Sequence, residues 1–492
     1  MQESKTGPAR RTPHDAHSAA RDPAPYEGRW IAMTVMLIAG FMNLIDVTIV
    51  NVALPSLQTS LGATDSGIEW VAAAYILSFS IGLLPFGRLG DYLGRKHVFL
   101  IGVACFTIAS TLCGLAPNIE LLIAARAVQG LSAALMTPQT LAIAQVIFPP
   151  HERGTAFSLF GLTAGLATVT GPLLGGVLIG ADIFGLDWRP IFLVNIPVGA
   201  VAILLGLRFI PKSRPNYDVG FDVVGILLAI AAMLFLVFPL VEGRNFGWPA
   251  WIFLMLAASL PAGFAFAFWQ KARARANRPQ LMPASVLGNR QFLGGALMTT
   301  LLFSSVPGLF LVLAVFLQVG FGLTPLQSGL TTMPFSVGVL TASLVANRLG
   351  GRFMRQRIII GAGLLFSAMF GLRMVVAGVG DAIVSWHFIA PLFAAGLGLG
   401  TTIPAIFQTV LSNVEGRDAG SASGSLQSFQ QAGAALGVAV MGQIFFGHFG
   451  GQAAGSSHAQ FIEALRTSLI YSMVAFAMVA AGGAVIRSHG SR

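Results

Sequence analysis

The chain alternates between long apolar runs and short polar or charged breaks, and each run is about as long as a membrane crossing. A helix needs about 20 largely apolar residues to span the hydrocarbon core. Fourteen such spans are predicted, at 30–54, 68–86, 97–117, 119–144, 155–180, 190–210, 221–241, 250–270, 292–318, 326–348, 358–378, 384–408, 421–446 and 465–486. The uncharged run 291–347 is too long for one helix, so it is split at the Gly/Pro turn covering 320–325.

Composition supports the pattern. Of the 492 residues, 55% are hydrophobic and 10% charged, where a soluble chain carries about a quarter charged. The fold class is therefore an all-α, multi-pass membrane protein. A net charge of +10 first suggests nucleic acid as a partner, but the basic residues are spread over short loops. On the predicted spans, 24 of the 29 Lys and Arg fall on one side, four on the other, and Arg126 lies within a span. That asymmetry excludes a nucleic-acid patch and puts both termini in the cytoplasm. Residues 1–29 are polar and Pro/Ala-rich with no apolar h-region, so they read as a disordered tail and not a signal peptide. Cys105 and Cys113 share one apolar run and read as packing residues.

The chain repeats itself. Gly87-Arg88-Leu89-Gly90 aligns with Asn347-Arg348-Leu349-Gly350 at an offset of 260, and Gly130, Pro138 and Gly154 align with Gly396, Pro404 and Gly420 at 266. The expected organisation is a tail (1–29), a six-helix bundle (30–214), a two-helix insert (215–280), a second six-helix bundle (281–486) and a C-terminal tail (487–492). Two pseudo-symmetric halves with a site between them form the architecture of rocking transporters. The repeat fails at chemical positions: Asp91 corresponds to Gly351, Arg126 to Leu392 and Pro172 to Val438. Coupling chemistry is thus expected in the N-terminal half.

Asp46 lies in the middle of the first span. A carboxylate there costs roughly 3 kcal/mol on insertion scales, which makes it a functional candidate. Burial disfavours its charged form, so it can exchange a proton. Arg126, in the fourth span, sits at a depth that agrees with that of Asp46 within about one helical turn. Arginine stays charged, so it cannot carry the proton. Close to Asp46 it favours the carboxylate, and withdrawn it releases that bias. Asn43, Asn51, Gln129, Gln318 and Gln408 are polar residues in or near spans and are candidates for a substrate path. Glu69, at the end of span 2, is expected to be solvated and Arg373 to snorkel. The sequence has no metal-ligand spacing, no Ser/His/Asp constellation and no nucleotide-binding loop. It therefore reads as no enzyme, with no cofactor, driven by an ion gradient.

Four motifs carry a family resemblance. Gly87-Arg-Leu-Gly-Asp91-Tyr-Leu-Gly94-Arg95-Lys96 is a charged island between two spans, expected as a tight turn with an ion-pair cluster around Asp91. It resembles the loop between helices 2 and 3 of the major facilitator superfamily. The stretch around Arg126-Ala-Val-Gln129-Gly130 resembles that superfamily's helix-4 motif. Gly165, Gly171, Pro172, Gly175 and Gly176 in span 5 resemble the antiporter motif of its exporters, with Ala167 and Ser158 where two further glycines are expected. Trp188-Arg-Pro-Ile-Phe192-Leu-Val-Asn195-Ile-Pro197-Val-Gly199 is similar to a stretch of the fourteen-helix drug/proton antiporters (the EmrB/QacA type).

The resemblance implies the major facilitator fold, with two pseudo-symmetric six-helix bundles plus two inserted helices, in a bacterial inner (plasma) membrane. It implies efflux of an amphipathic small molecule in exchange for protons, by alternating access. Asp46 and Arg126 would then couple the proton, and Gly87, Asp91, Gly94, Arg95 and Lys96 would latch one state. With Asp46 nearly alone as a deep acid, neutral or monocationic substrates are favoured over dications. Family members that work with a periplasmic adaptor make such a protein a candidate partner. The alternative readings are a proton-coupled importer of a small metabolite, separated by flux direction, and a non-transporting sensor.

Overall fold

The computed structural model describes residues 26–212, 222–243, 245–349, 352–380, 382–411, 414, 419–449 and 456–485. The N-terminal bundle is built from α1 (Arg29–Leu61), α2 (Asp65–Leu93), α3 (Arg95–Gly114), α4 (Ile119–Ile147), α5 (Pro150–Gly180), α6 (Pro190–Leu193) and α7 (Asn195–Phe209). The inserted hairpin is α8 (Val223–Glu242) and α9 (Ala250–Arg275), followed by the short α10 (Ala284–Gly288). The C-terminal bundle holds α11 (Arg290–Phe303), α12 (Val306–Val315), α13 (Pro325–Leu349), α14 (Met354–Ala377), α15 (Ile389–Leu411), α16 (Ala419–Phe446) and α17 (His458–Val485). Among the described residues, thirteen helical stretches are long and apolar enough to cross a membrane. The 31-residue α5 occupies the remaining predicted span.

The helices overrun the apolar windows. Hydropathy marks the length that meets lipid, whereas a helix continues until its backbone is capped. Thus α1 runs past Pro55 to Leu61 and stops at Gly62, whose φ of 62° supplies the left-handed residue that ends it. The charged island at 87–96 is likewise mostly helix and not a turn. α2 extends to Leu93, Gly94 alone breaks the backbone at φ 95°, and Arg95 opens α3. Only a glycine adopts that φ at no steric cost. The split predicted at 320–325 is present, as a π-helical turn at Phe316–Gly320 followed by Gly322 at φ 68°.

The internal repeat is visible as packing. A methyl group on Gly130 of α4 would fall 2.2 Å from the Tyr75 carbonyl oxygen of α2. One on Gly396 of α15 would fall 1.9 Å from the Phe335 carbonyl oxygen of α13. The two contacts are related by the same offsets, 260 and 266, that the sequence shows. In each half the bare glycine lets two helices meet backbone to backbone.

The halves meet away from the face where α1 begins and α17 ends. Gln318 Nε2 donates to the Val52 carbonyl at 2.9 Å, and Ser80 Oγ to the Ser428 carbonyl at 3.1 Å. Glu69 is fully buried on α2, with Gly442 of α16 against its carboxyl group, and so is not solvated as expected. Its position at the end of an apolar window suggested water, but α16 of the other half covers it. The hairpin is fastened to α2 through Trp70 Nε1 to Glu242 Oε1 at 2.7 Å, and the link from α9 to α10 through Arg88 Nη2 to the Gln280 carbonyl at 2.7 Å.

At the terminal face, basic side chains bond to helix-end carbonyls. Arg95 Nη1 donates to Ala142 O at 2.9 Å, and Lys96 Nζ to Leu207 O and Ile210 O at 2.7 and 2.6 Å. At the end of α7 the Lys96 cation meets carbonyls that lack an intrahelical partner and opposes the negative end of that helix. Part of the segment expected to be a loose tail is held: Tyr26 Oη donates to Phe209 O, and Arg29 pairs with Glu152 at 2.7 and 2.9 Å. Residues 1–25, 213–221 and 486–492, and the side chain of Asp91 with its expected ion pairs, lie outside what is described.

Candidate functional site

Four helices bring polar side chains to one buried point in the N-terminal bundle. Polar pairs at three-residue spacing lie on single faces of three of them: Asn43 and Asp46 on α1, Ser110 and Cys113 on α3, Arg126 and Gln129 on α4. Asn195 is the first residue of α7. Asp46, Gln129 and Ser110 are wholly inaccessible, and Arg126 and Asn195 are 2% exposed.

Asp46 is held from two sides. Its Oδ2 accepts from Arg126 Nη1 at 2.5 Å. Its Oδ1 accepts from Gln129 Nε2 at 2.8 Å and Asn195 Nδ2 at 3.4 Å. Gln129 closes a ring, because its Oε1 accepts from the same Arg126 Nη1 at 2.8 Å and from the Cys113 thiol at 3.5 Å. Arg126 is fixed further by Nε donating to the Val71 carbonyl at 3.1 Å, and its guanidinium carbon stands 4.2 Å from the centre of the Tyr75 ring. The Tyr75 hydroxyl donates to Asn43 Oδ1. A buried charge pair survives only when its remaining donors and acceptors are met, and here both Asp46 oxygens and Arg126 Nε and Nη1 have partners.

Span 6 forms the far wall. It is broken at Val194, between α6 and α7, where Pro197 offers no N–H to the carbonyl four residues back. Trp188 and Phe192 are fully buried with their rings edge to face, and the Phe192 ring centre lies 5.8 Å from the Arg126 guanidinium carbon.

The span-5 glycines face two ways. Gly171 and Gly175 press on α1: a methyl on Gly171 would fall 1.9 Å from Thr48 Oγ1, and one on Gly175 2.9 Å from Ile49 Cγ1. Gly176 instead presses on Leu326 of α13, and Gly329 of α13 abuts the Pro172 carbonyl. Gly165 also faces α13, 3.0 Å from the flexible end of Leu340. α5 therefore touches the Asp46 helix on one side and the opposite bundle on the other. Ala167, standing where a glycine was expected, is buried and receives Thr48 Oγ1 on its carbonyl at 3.4 Å.

The remaining expected residues separate. Gln129, expected along a substrate path, is sealed in the Asp46 network, and Asn43 is buried against Tyr75. Gln318 is committed to the bond between the halves. Asn51 is half-buried and Gln408 exposed. Gly87 makes an ordinary contact with Pro138, Gly90 packs on Gln139, and Arg373 Nε reaches the Arg466 carbonyl at 3.4 Å. Tyr75, Ser110, Cys113 and Asn195 had no assigned role in the site. Their signal was present: polar or aromatic-hydroxyl side chains within apolar spans, at the depth shared by Asp46 and Arg126.

A family model described as Major Facilitator Superfamily matches residues 36–223 and again 221–438. The chain belongs to the major facilitator superfamily. It is a transporter and not an enzyme. It is 38% identical over 441 residues to the probable actinorhodin transporter of Streptomyces coelicolor, covering 89% of this chain and 76% of that one. It is 32% identical to the tetracenomycin C resistance and export protein of Streptomyces glaucescens, covering 89% and 80%. It is 34% identical to the puromycin resistance protein of Streptomyces alboniger, covering 87% and 84%. Among solved structures, the human organic anion transporter MFSD10 (TETRAN) matches with TM-score 0.63 at 16% identity, over 94% of this chain and 100% of that one. At that identity the likeness is one of fold.

Proposed function

We propose that this major-facilitator transporter exports amphipathic small molecules in exchange for protons. The compounds named for its relatives, such as actinorhodin, tetracenomycin C and puromycin, are its candidate substrates. The observation that carries the reading is the buried Asp46–Arg126 pair with Gln129 completing the ring. Protons alone drive the cycle, with no cofactor, and the protein works in a bacterial plasma membrane with both termini inside. The basic terminal face supports that orientation.

The chemistry follows from burial. While Arg126 stands beside Asp46, the carboxylate is favoured. Any motion that parts α1 from α4 leaves a charge in a low-dielectric interior, and protonation relieves it. α5 supplies the mechanical link. It is wedged by Gly176 and Pro172 against α13 and by Gly171 and Gly175 against α1, two to three residues past Asp46. Rocking of the C-terminal bundle on α5 is thereby felt at the proton site.

The test is flux in vesicles of known orientation. An imposed inward-directed proton gradient should drive puromycin or ethidium out of the compartment bearing the terminal face. Flux in the opposite direction would favour import.

A further inference from the structure

We propose that Asn195 is a positioning residue for the proton site: it holds the Asp46 carboxylate from the side opposite Arg126 and sets the pH at which Asp46 takes its proton. The proposal rests on the reading of Asp46 as the coupling acid.

The orientation of the Asn195 amide is fixed by its neighbours. Ser110 Oγ donates its one hydrogen to the Phe192 carbonyl at 2.9 Å. It can then only accept from Asn195, 2.9 Å away, so the atom facing it is the amide nitrogen, Nδ2. The same Nδ2 reaches Asp46 Oδ1 at 3.4 Å. Both hydrogens of the amide are thus used, one on Ser110 and one on the carboxylate. Asn195 also opens a 15-residue helix, so the partly positive end of α7 lies at the same place. Each feature sets a hydrogen-bond donor or a partial positive charge against the carboxyl group.

The titratable groups that face Asp46 come from three of the helices around it. They are Arg126 of α4, the Tyr75 phenol of α2 and the Cys113 thiol of α3. The stretch 156–180 of α5, which packs on α1, and all of α12 carry no Asp, Glu, Lys, Arg or His, and the one such residue of α13 is Arg348, at its terminal-face end. Three donors from two helices therefore hold Asp46. Arg126 and Gln129 belong to α4. Asn195 belongs to α7 and is tied through Ser110 to α3. A motion that takes α4 from α1 would remove Arg126 and Gln129 together and leave Asn195 on the carboxylate.

The test reads Asp46 directly and needs no substrate. The full-length protein in lipid vesicles is titrated while the infrared C=O absorption of protonated carboxyl groups is recorded, and the Asp46→Asn spectrum is subtracted. In the native protein the difference band should grow as pH falls. In Asn195→Ala it should appear about one pH unit higher, the loss of one hydrogen bond to a charged group. In Asn195→Asp, where a second carboxyl group faces the first, the shift should be larger in the same direction once the spectrum of the double variant Asp46→Asn/Asn195→Asp is subtracted in its place. Ser110→Ala, which frees the amide without removing it, should move the band upward by less and guards against a misfolded Asn195 variant. A native midpoint in both Asn195→Ala and Ser110→Ala overturns the proposal alone. A native protein with no titrating difference band overturns the reading of Asp46, and the proposal with it.

Discussion

Arg126 Nη1 donates to Asp46 Oδ2 at 2.5 Å, and neither side chain has more than 2% of its surface exposed. The pair joins α4 to α1 inside an apolar bundle. Breaking such a pair by removing one member costs about 3–5 kcal/mol, because the other is left as an uncompensated buried charge. Arg126→Ala should therefore lower the thermal stability of the purified protein far more than the double variant Asp46→Asn/Arg126→Ala. Equal losses in the two would show that the pair contributes no mutual compensation.

The glycines of α5 divide by what they touch. Gly171→Ala drives a methyl into Thr48 Oγ1, two residues from Asp46, whereas Gly165→Ala meets only the flexible end of Leu340. Overpacking at a rigid contact costs about 1–3 kcal/mol. Gly171→Ala should abolish transport while the protein still reaches the membrane, and Gly165→Ala should retain most of it. Efflux assays matched for protein amount by immunoblot decide this.

Lys96 donates to two carbonyls at the end of α7, Leu207 and Ile210. Replacing it with Met removes two charge-assisted hydrogen bonds, each worth about 1.5–3 kcal/mol where the acceptor is left unpaired. The expected result is a lower melting temperature of the purified protein. Lys96→Arg, which keeps the charge and the donors, should recover most of it.

Gly396 repeats Gly130. Because both rest on carbonyl oxygens of the neighbouring helix, Gly130→Val and Gly396→Val should each prevent stable folding, read as loss of the monodisperse peak in size-exclusion chromatography. A well-behaved Gly396→Val protein would mean that the C-terminal half does not use the contact that its sequence repeats.

The transmembrane architecture was legible because lipid imposes two hard constraints, the length of an apolar run and the side on which Lys and Arg collect. The pairing of Asp46 with Arg126 could be reached by depth alone. The rest of the site was hidden for a physical reason. Asn195, Ser110 and Tyr75 are ordinary polar or amphipathic residues, and only tertiary contact shows that they point at one carboxylate. Glu69 was misread for a similar reason: hydropathy along one helix says nothing of a helix from the other half that covers its end. Gln129 was placed on a path although its three-residue spacing from Arg126 puts it on the same face as the arginine. The 87–96 stretch was read as a turn from its charge, but charged residues past the lipid boundary can stay helical, and only Gly94 breaks the chain.

The central claim is that Asp46 couples protons to transport, and efflux from pump-deficient cells tests it most directly. Cells expressing the native protein, Asp46→Asn or no transporter are loaded with ethidium and, in parallel, with puromycin, with and without a protonophore. Efflux is expected from the native protein only, lost both on adding the protonophore and in Asp46→Asn at equal protein level. Protonophore-sensitive efflux that persists in Asp46→Asn would contradict it and place the coupling acid elsewhere.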